Sequence, residues 1–158
     1  MKVLVTGAAG FIGSHLSEAL LDRGDTVVAI DNFNDYYSPK RKRANAECFR
    51  HHENCEFIEG DICDEPAIKS LFERHQFDAV AHLAAYGGVR YSIGRANLYV
   101  NVNIVGSVNL LEGARCSGVN SFVFASTSSV YGNTTQLPFI ETDPCNLPLA
   151  PYPASKKS

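Results

Sequence analysis

No two of the five cysteines, Cys48, Cys55, Cys63, Cys116 and Cys145, stand in Cys-x-x-Cys spacing, and their number is odd. They show no disulfide-like ladder and read as reduced thiols in a cytoplasmic protein. No apolar run approaches the length of a membrane span, and the chain enters its first apolar segment at once. Neither a membrane partner nor a secretory leader is therefore expected. Internal repeats and low-complexity tracts are absent. Neither sign of charge dominates: 14 Lys and Arg face 17 Asp and Glu, a net charge of −3. Nothing in that balance calls for nucleic acid. The single basic run, Lys40-Arg41-Lys42-Arg43, reads as the solvated start of a helix, with Ser38 as cap and Pro39 in the first turn. A place near the adenosine end of a cofactor is its other reading. At 158 residues the chain is long enough for one domain with a sizeable core.

The informative stretch comes first: Thr6-Gly7-Ala8-Ala9-Gly10-Phe11-Ile12-Gly13. Val3-Leu4-Val5 leads into it, and Ile12, Leu16, Ala19 and Leu20 follow at helical spacing. The glycines thus fall where a strand becomes a helix. There, free backbone N–H groups and the positive end of the helix dipole receive a phosphate. Gly7 permits the tight turn, Gly10 admits a pyrophosphate, and Gly13 lets the helix lie close on the strand. The spacing is Gly-x-x-Gly-x-x-Gly, unlike the usual Gly-x-Gly-x-x-Gly of dinucleotide sites. A second apolar strand, Thr26 to Ile30, ends in Asp31. An acid at that strand tip is placed to accept the ribose hydroxyls of an adenosine, and it repels the 2′-phosphate of NADP.

The remaining chain alternates strands and helices. A polar, aromatic loop runs from Asn32 to Tyr37, and a charged helix is expected from Pro39 to His52. Cys55 to Glu59 reads as a third strand ending at Gly60-Asp61-Ile62, where Asp61 would hold an adenine edge and Ile62 its face. Asp64 caps a helix with Ile68, Leu71 and Phe72 on one stripe. Phe77 to Leu83 reads as strand four. Its small end, Leu83-Ala84-Ala85, suits either a flat ligand or tight packing. A helix from Ala96 to Arg115 shows two apolar faces, Leu98, Val102 and Val105 on one and Ile104, Val108 and Leu111 on the other. One face suits the sheet and the other a second copy of the protein. Phe122 to Ala125 is strand five, followed by Ser126-Thr127-Ser128-Ser129. The expected architecture is an α/β fold, a doubly wound parallel sheet of order 3-2-1-4-5 with its ligand edge at the carboxyl ends of the strands.

Tyr152 and Lys156 are four residues apart, one turn on a single helix face. A lysine cation beside a tyrosine favours the phenolate and makes the pair a general acid/base. The lysine also suits the ribose hydroxyls of a cofactor, and a hydroxyl from Thr127 suits the substrate oxygen.

These landmarks, with His82-Leu83-Ala84-Ala85, Gly88-Val89-Arg90-Tyr91-Ser92 and Ser126 to Gly132, make the chain resemble the amino-terminal half of an extended short-chain dehydrogenase/reductase. Within that family it is most similar to the NAD-dependent sugar-nucleotide epimerases, the UDP-glucuronate 4-epimerases above all. The resemblance implies a Rossmann-like NAD-binding domain over residues 1–158, with Gly7, Gly10, Phe11, Ile12, Gly13, Asp31, Asn32, Asp61, Ile62, Leu83, Ala84, Ala85, Asn103, Tyr152 and Lys156 toward the cofactor. It implies that Tyr152 takes the proton of the C4 hydroxyl, with Thr127 assisting. Thr127, Ser128, Ser129 and Arg90 would face a nucleotide-sugar, a UDP-hexuronate. Arg90 reads equally as a surface salt bridge. The related 4,6-dehydratases carry an Asp-Glu pair where this chain has Ser128 and Ser129, which favours epimerisation. A dehydratase or decarboxylase, or a non-catalytic dinucleotide-binding module, is the alternative. The resemblance further implies a homodimer through the helix near 96–115. It also implies a substrate domain beyond residue 158, without which the Tyr152–Lys156 helix is mobile and strand five an exposed edge.

Overall fold

The computed structural model describes residues 1–158 and divides them into two compact units, 1–84 with 106–125 and 85–105 with 126–158.

In the first unit, five parallel strands form one sheet in the order β3-β2-β1-β4-β5. They are β1 (Lys2–Thr6), β2 (Thr26–Asp31), β3 (Cys55–Glu59), β4 (Ala79–His82) and β5 (Ser121–Phe124). Thr6 pairs with Ile30 on one side and with His82 on the other, so the carboxyl ends of the three central strands are level. The middles of these three strands, Val3-Leu4-Val5, Val27-Val28-Ala29-Ile30 and Val80-Ala81, are apolar and buried because both faces of the sheet are covered there. Val3, Val5, Val27 and Ala29 pack with Leu20 and Leu21 of α1 (Phe11–Asp22) and with Ala46 and Phe49 at the end of α2 (Pro39–Glu47). Leu4, Val28 and Val80 alternate to the opposite face and are fully buried. There α3 (Glu65–Arg74) meets α6 (Gly106–Cys116) closely: a Cβ on Gly113 would stand 2.3 Å from Phe72 Cδ2.

Asp64 caps α3 as expected, its Oδ1 accepting from Ala67 N at 3.1 Å. Ser38 precedes α2 without a side-chain cap bond, and Pro39 supplies the first turn instead. Helix α2 is shorter than expected because the chain turns after Glu47 to bury Phe49. Strand β4 stops at His82, where the backbone N–H groups of Leu83 and Ala84 bend to the Thr6 hydroxyl. The outer strand β5 leaves Val123 62 % exposed.

The second unit holds α4 (Val89–Ser92), α5 (Ala96–Tyr99), a π-helical turn (Val100–Val105), a 3₁₀ turn (Ser128–Tyr131) and α7 (Pro151–Lys157). Tyr99 is its fully buried centre, with ring centroids 6.1 Å from Tyr86 and 6.0 Å from Tyr152. Its hydroxyl donates to Gly87 O. Both turns and α4 and α5 lie against α7. The expected uniform helix from Ala96 to Arg115 is therefore α5, a π turn and α6 in succession. A π turn carries an extra residue and shifts the phase of everything after it. Val105, Val108 and Leu111, assigned above to two different faces, are accordingly all exposed, while Tyr99, Asn103, Leu110 and Ala114 are buried.

Candidate active site

In the first unit the glycine turn joins β1 to α1. Gly7 has φ +67°, and a Cβ there would lie 2.7 Å from Ala84 N; a Cβ on Gly13 would lie 2.2 Å from Gly7 O. The turn, the start of α1 and the end of β4 thus touch at backbone distance, which no side chain allows. Gly10 caps α1 without a side chain, and no acid stands in the first turn. The amino-terminal N–H groups of this 12-residue helix are left for an anion. The Phe11 and Ile12 side chains project outward, 74 % and 65 % exposed.

Asp31 is buried beside the turn. Its Oδ2 accepts from Ala9 N at 3.1 Å and its Oδ1 from Phe33 N at 2.8 Å. The carboxylate therefore also braces the turn, and each oxygen keeps a lone pair for a ribose hydroxyl. Lys42, read from sequence as part of a solvated run, is buried: Nζ donates to Asn34 Oδ1 at 2.8 Å and lies 3.8 Å from Asp31 Oδ1. Burial pulls its pKa down, and Asp31 opposes that. Its neighbours Lys40, Arg41 and Arg43 are exposed. Only the fold separates Lys42 from them, through the loop that wraps it.

Asn32 Nδ2 donates to Asp61 Oδ2 at 2.9 Å, and Cys63 N to Asp61 Oδ1 at 2.8 Å. Burial raises the Asp61 pKa, but these bonds prevail and hold it below the usual carboxylate range. Ile62 is buried against Gly106 and does not present an open face. Leu83 and Ala84 are half-buried, tied to Thr6 Oγ1 at 3.2 Å each. Having accepted those bonds, the Thr6 hydroxyl donates to His82 Nδ1 at 2.7 Å, and His82 Nε2 then donates to Ser107 Oγ at 2.8 Å. This buried relay fixes the end of β4 and has no signal in the sequence.

In the second unit, Tyr152 and Lys156 share α7, which Pro151 opens. Lys156 is buried, and desolvation lowers its pKa to about 8. Asn103, on the π turn, is buried. Its Oδ1 accepts from Tyr86 N at 2.8 Å, and its Nδ2 donates to Tyr86 O at 3.0 Å and to Ser155 Oγ at 2.9 Å. Ser155 in turn donates to Tyr152 O at 2.8 Å. Thr127 opens the 3₁₀ turn, its Oγ1 accepting from Ser129 N at 3.2 Å. Ser128 and Arg90 are exposed, and Ser129 and Ala85 half-buried.

A parallel sheet with a glycine turn at its central strand, an acid ending the next strand and Tyr-x-x-x-Lys on a later helix define a short-chain dehydrogenase/reductase of the extended kind. The chain belongs to the family described as GDP-mannose 4,6 dehydratase, whose profile matches residues 4–158. It is 49 % identical over 160 residues to UDP-glucuronate 4-epimerase 3 of Arabidopsis thaliana, covering 99 % of this chain and 36 % of that one. Among solved structures it is similar to the Bacillus cereus UDP-glucuronic acid 4-epimerase in complex with UDP-glucuronic acid and NAD. The identity there is 39 % and the TM-score 0.88, over 99 % of this chain and 49 % of the other. The UDP-glucose 4-epimerase of Thermus thermophilus, solved with NAD, gives 38 % and 0.85, over 99 % and 48 %. The chain thus spans between a third and a half of these relatives' length. No helix in it is long and apolar enough to cross a membrane.

Proposed function

We propose that residues 1–158 are the NAD-binding, acid/base portion of a nucleotide-sugar 4-epimerase that interconverts UDP-glucuronate and UDP-galacturonate. The substrate-binding domain lies outside these residues. The carrying observation is Lys156: buried, held on one helix with Tyr152, its pKa lowered to about 8.

The first unit fits a dinucleotide. The uncapped amino end of α1 takes the pyrophosphate, and Asp31 takes the adenosine ribose while rejecting a 2′-phosphate. NAD supplies the oxidation and its reversal at carbon 4 of the sugar. Tyr152 accepts the proton of the C4 hydroxyl and returns it after the sugar has turned over. Lys156 holds ribose hydroxyls, and Thr127 shares the substrate oxygen. Ser128 and Ser129 offer hydrogen bonds and no further base, which supports epimerisation over elimination. Arg90, exposed on α4, is assigned to the substrate carboxylate or phosphate. The UDP-glucuronic acid in the complex of the similar Bacillus cereus enzyme supports the uronate. The exposed Val108 and Leu111 on α6 support a homodimer, and five cysteines outside any disulfide support a cytoplasmic setting.

The test is incubation of the whole protein with UDP-glucuronate. The expected result is UDP-galacturonate with no net NADH, and no product from the Tyr152→Phe variant, which keeps its cofactor. A decarboxylated or 4-keto-6-deoxy product would replace this reading with a lyase. Cofactor binding without any turnover would leave a binding module.

A further inference from the structure

The loop from Asp31 to Tyr37 is built from consecutive side-chain turns. Phe33 N donates to Asp31 Oδ1 at 2.8 Å, Asn34 N to Asn32 Oδ1 at 3.0 Å and Tyr36 N to Asn34 Oδ1 at 3.2 Å. Phe33 is held at φ +49°, a conformation unfavourable for a bulky residue. Its burial, its stack on Phe57 at 5.5 Å and the Arg43 guanidinium over its ring at 4.3 Å compensate. The outcome of this construction is the placement of Tyr37. Its ring lies 5.0 Å from Lys42 Nζ, and its hydroxyl reaches over the glycine turn to 3.4 Å from the Cβ position of Gly10. The hydroxyl oxygen is buried and has no hydrogen-bond partner of normal geometry. It sits against the Phe11 backbone N–H, the first orphan donor of α1. Burial and the Asp31 carboxylate raise its pKa, against the Phe11 N–H and Arg41, so the hydroxyl keeps its proton at neutral pH.

We propose that the Tyr37 hydroxyl donates its hydrogen bond to a phosphate oxygen of the bound dinucleotide, completing the anion cradle of the glycine turn from the α2 side. The inference rests on the dinucleotide reading above and extends it to a residue outside the glycine and acid motifs. A buried donor with no acceptor is costly, and such groups in folded proteins call for an explanation. The glycine turn and α1 provide further donors there, so the ligand that satisfies Tyr37 is an acceptor that those N–H groups also bind. A phosphate oxygen meets both conditions.

Calorimetric titration of the protein and its Tyr37→Phe variant with NAD, ADP and adenosine is the test. The variant is expected to bind NAD and ADP about tenfold more weakly, as for one lost bond to a charged acceptor, and adenosine equally well. Its melting temperature without ligand is expected to be unchanged or higher, since an unpaired hydroxyl has been removed. In the unaltered protein, NMR is expected to show slowed exchange of the Tyr37 hydroxyl proton with NAD or ADP and not with adenosine. Equal NAD affinity in the two proteins overturns the proposal but leaves the dinucleotide reading standing. Tighter binding by the variant overturns it too, since the hydroxyl then obstructs the phosphate. An equal loss for adenosine makes Tyr37 a general support of the loop and overturns the phosphate contact. Failure of the unaltered protein to bind either NAD or ADP overturns the dinucleotide reading itself, and this proposal with it.

Discussion

Asn103 Nδ2 donates to Ser155 Oγ at 2.9 Å, one residue before the buried Lys156. The same amide holds both backbone groups of Tyr86, so one side chain ties the segment after β4 to the helix of Tyr152. Asn103→Leu strands the Tyr86 N–H and C=O and is expected to cost about 2–4 kcal/mol. Ser155→Ala, which leaves the Tyr86 bonds intact, should cost about 1 kcal/mol. Urea midpoints order the two variants, and equal midpoints would remove the special place of Asn103.

Lys156 gives a pH signature. Its folded pKa of about 8 lies below the ordinary 10.5, so the folded state holds the charge less willingly than the unfolded chain. The penalty is complete below pH 8 and is relieved as pH rises from 8 to 10.5. Lys156→Met is therefore expected to stabilise the ligand-free protein at pH 7 by up to about 3 kcal/mol, at 1.36 kcal/mol for each pKa unit. The gap should close above pH 10.5. The same variant should be catalytically dead, a trade of function for stability. Thermal melts across pH 7 to 11 measure it.

Asp25 has the opposite sign. The Met1 amino group at 2.7 Å lowers its pKa most, burial opposes this, and Arg23 assists. A depressed carboxylate contributes stability above its unfolded pKa and loses it as pH falls through the folded value. Asp25→Asn should melt below the unaltered protein at pH 7. The two should converge only in acid, below the ordinary carboxylate value of about 4.

The glycines separate close approach from simple turning. Gly13→Ala puts a methyl 2.2 Å from Gly7 O and should cost more than about 3 kcal/mol, with loss of NAD binding. Gly24 has φ +89° with open space around it. Gly24→Ala should cost only about 1–2 kcal/mol from backbone strain and leave NAD affinity unchanged. Melting curves with and without NAD distinguish the two.

Leu111 tests the proposed dimer. It is 49 % exposed on α6, as is Val108 at 48 %. Leu111→Asp in the whole protein should shift sedimentation from dimer to monomer. A dimer that survives both Leu111→Asp and Val108→Asp uses another surface.

Much of this architecture was legible in the chain itself. Strand order, the glycine turn, the acid at Asp31, the Asp64 cap and the Tyr152–Lys156 pair all follow from local signals: short apolar runs, turn residues and one helical spacing. These depend on neighbours a few residues away, which a linear reading contains. The phase of the helix after Tyr99 does not, because the π turn at Val100–Val105, where Asn103 is buried, leaves no mark in the periodicity until the faces are seen. Nor does the contrast between Lys42, buried against Asn34 and Asp31, and its exposed neighbours. The two bonds of the Thr6–His82–Ser107 relay span 76 and 25 positions in sequence. The unpaired Tyr37 hydroxyl likewise depends on the glycine turn it covers. Sequence by itself determined which backbone forms and which chemical groups reach the sheet edge. Tertiary packing decided which of those groups lose water, and burial is what changes their pKa values and leaves them in need of a partner.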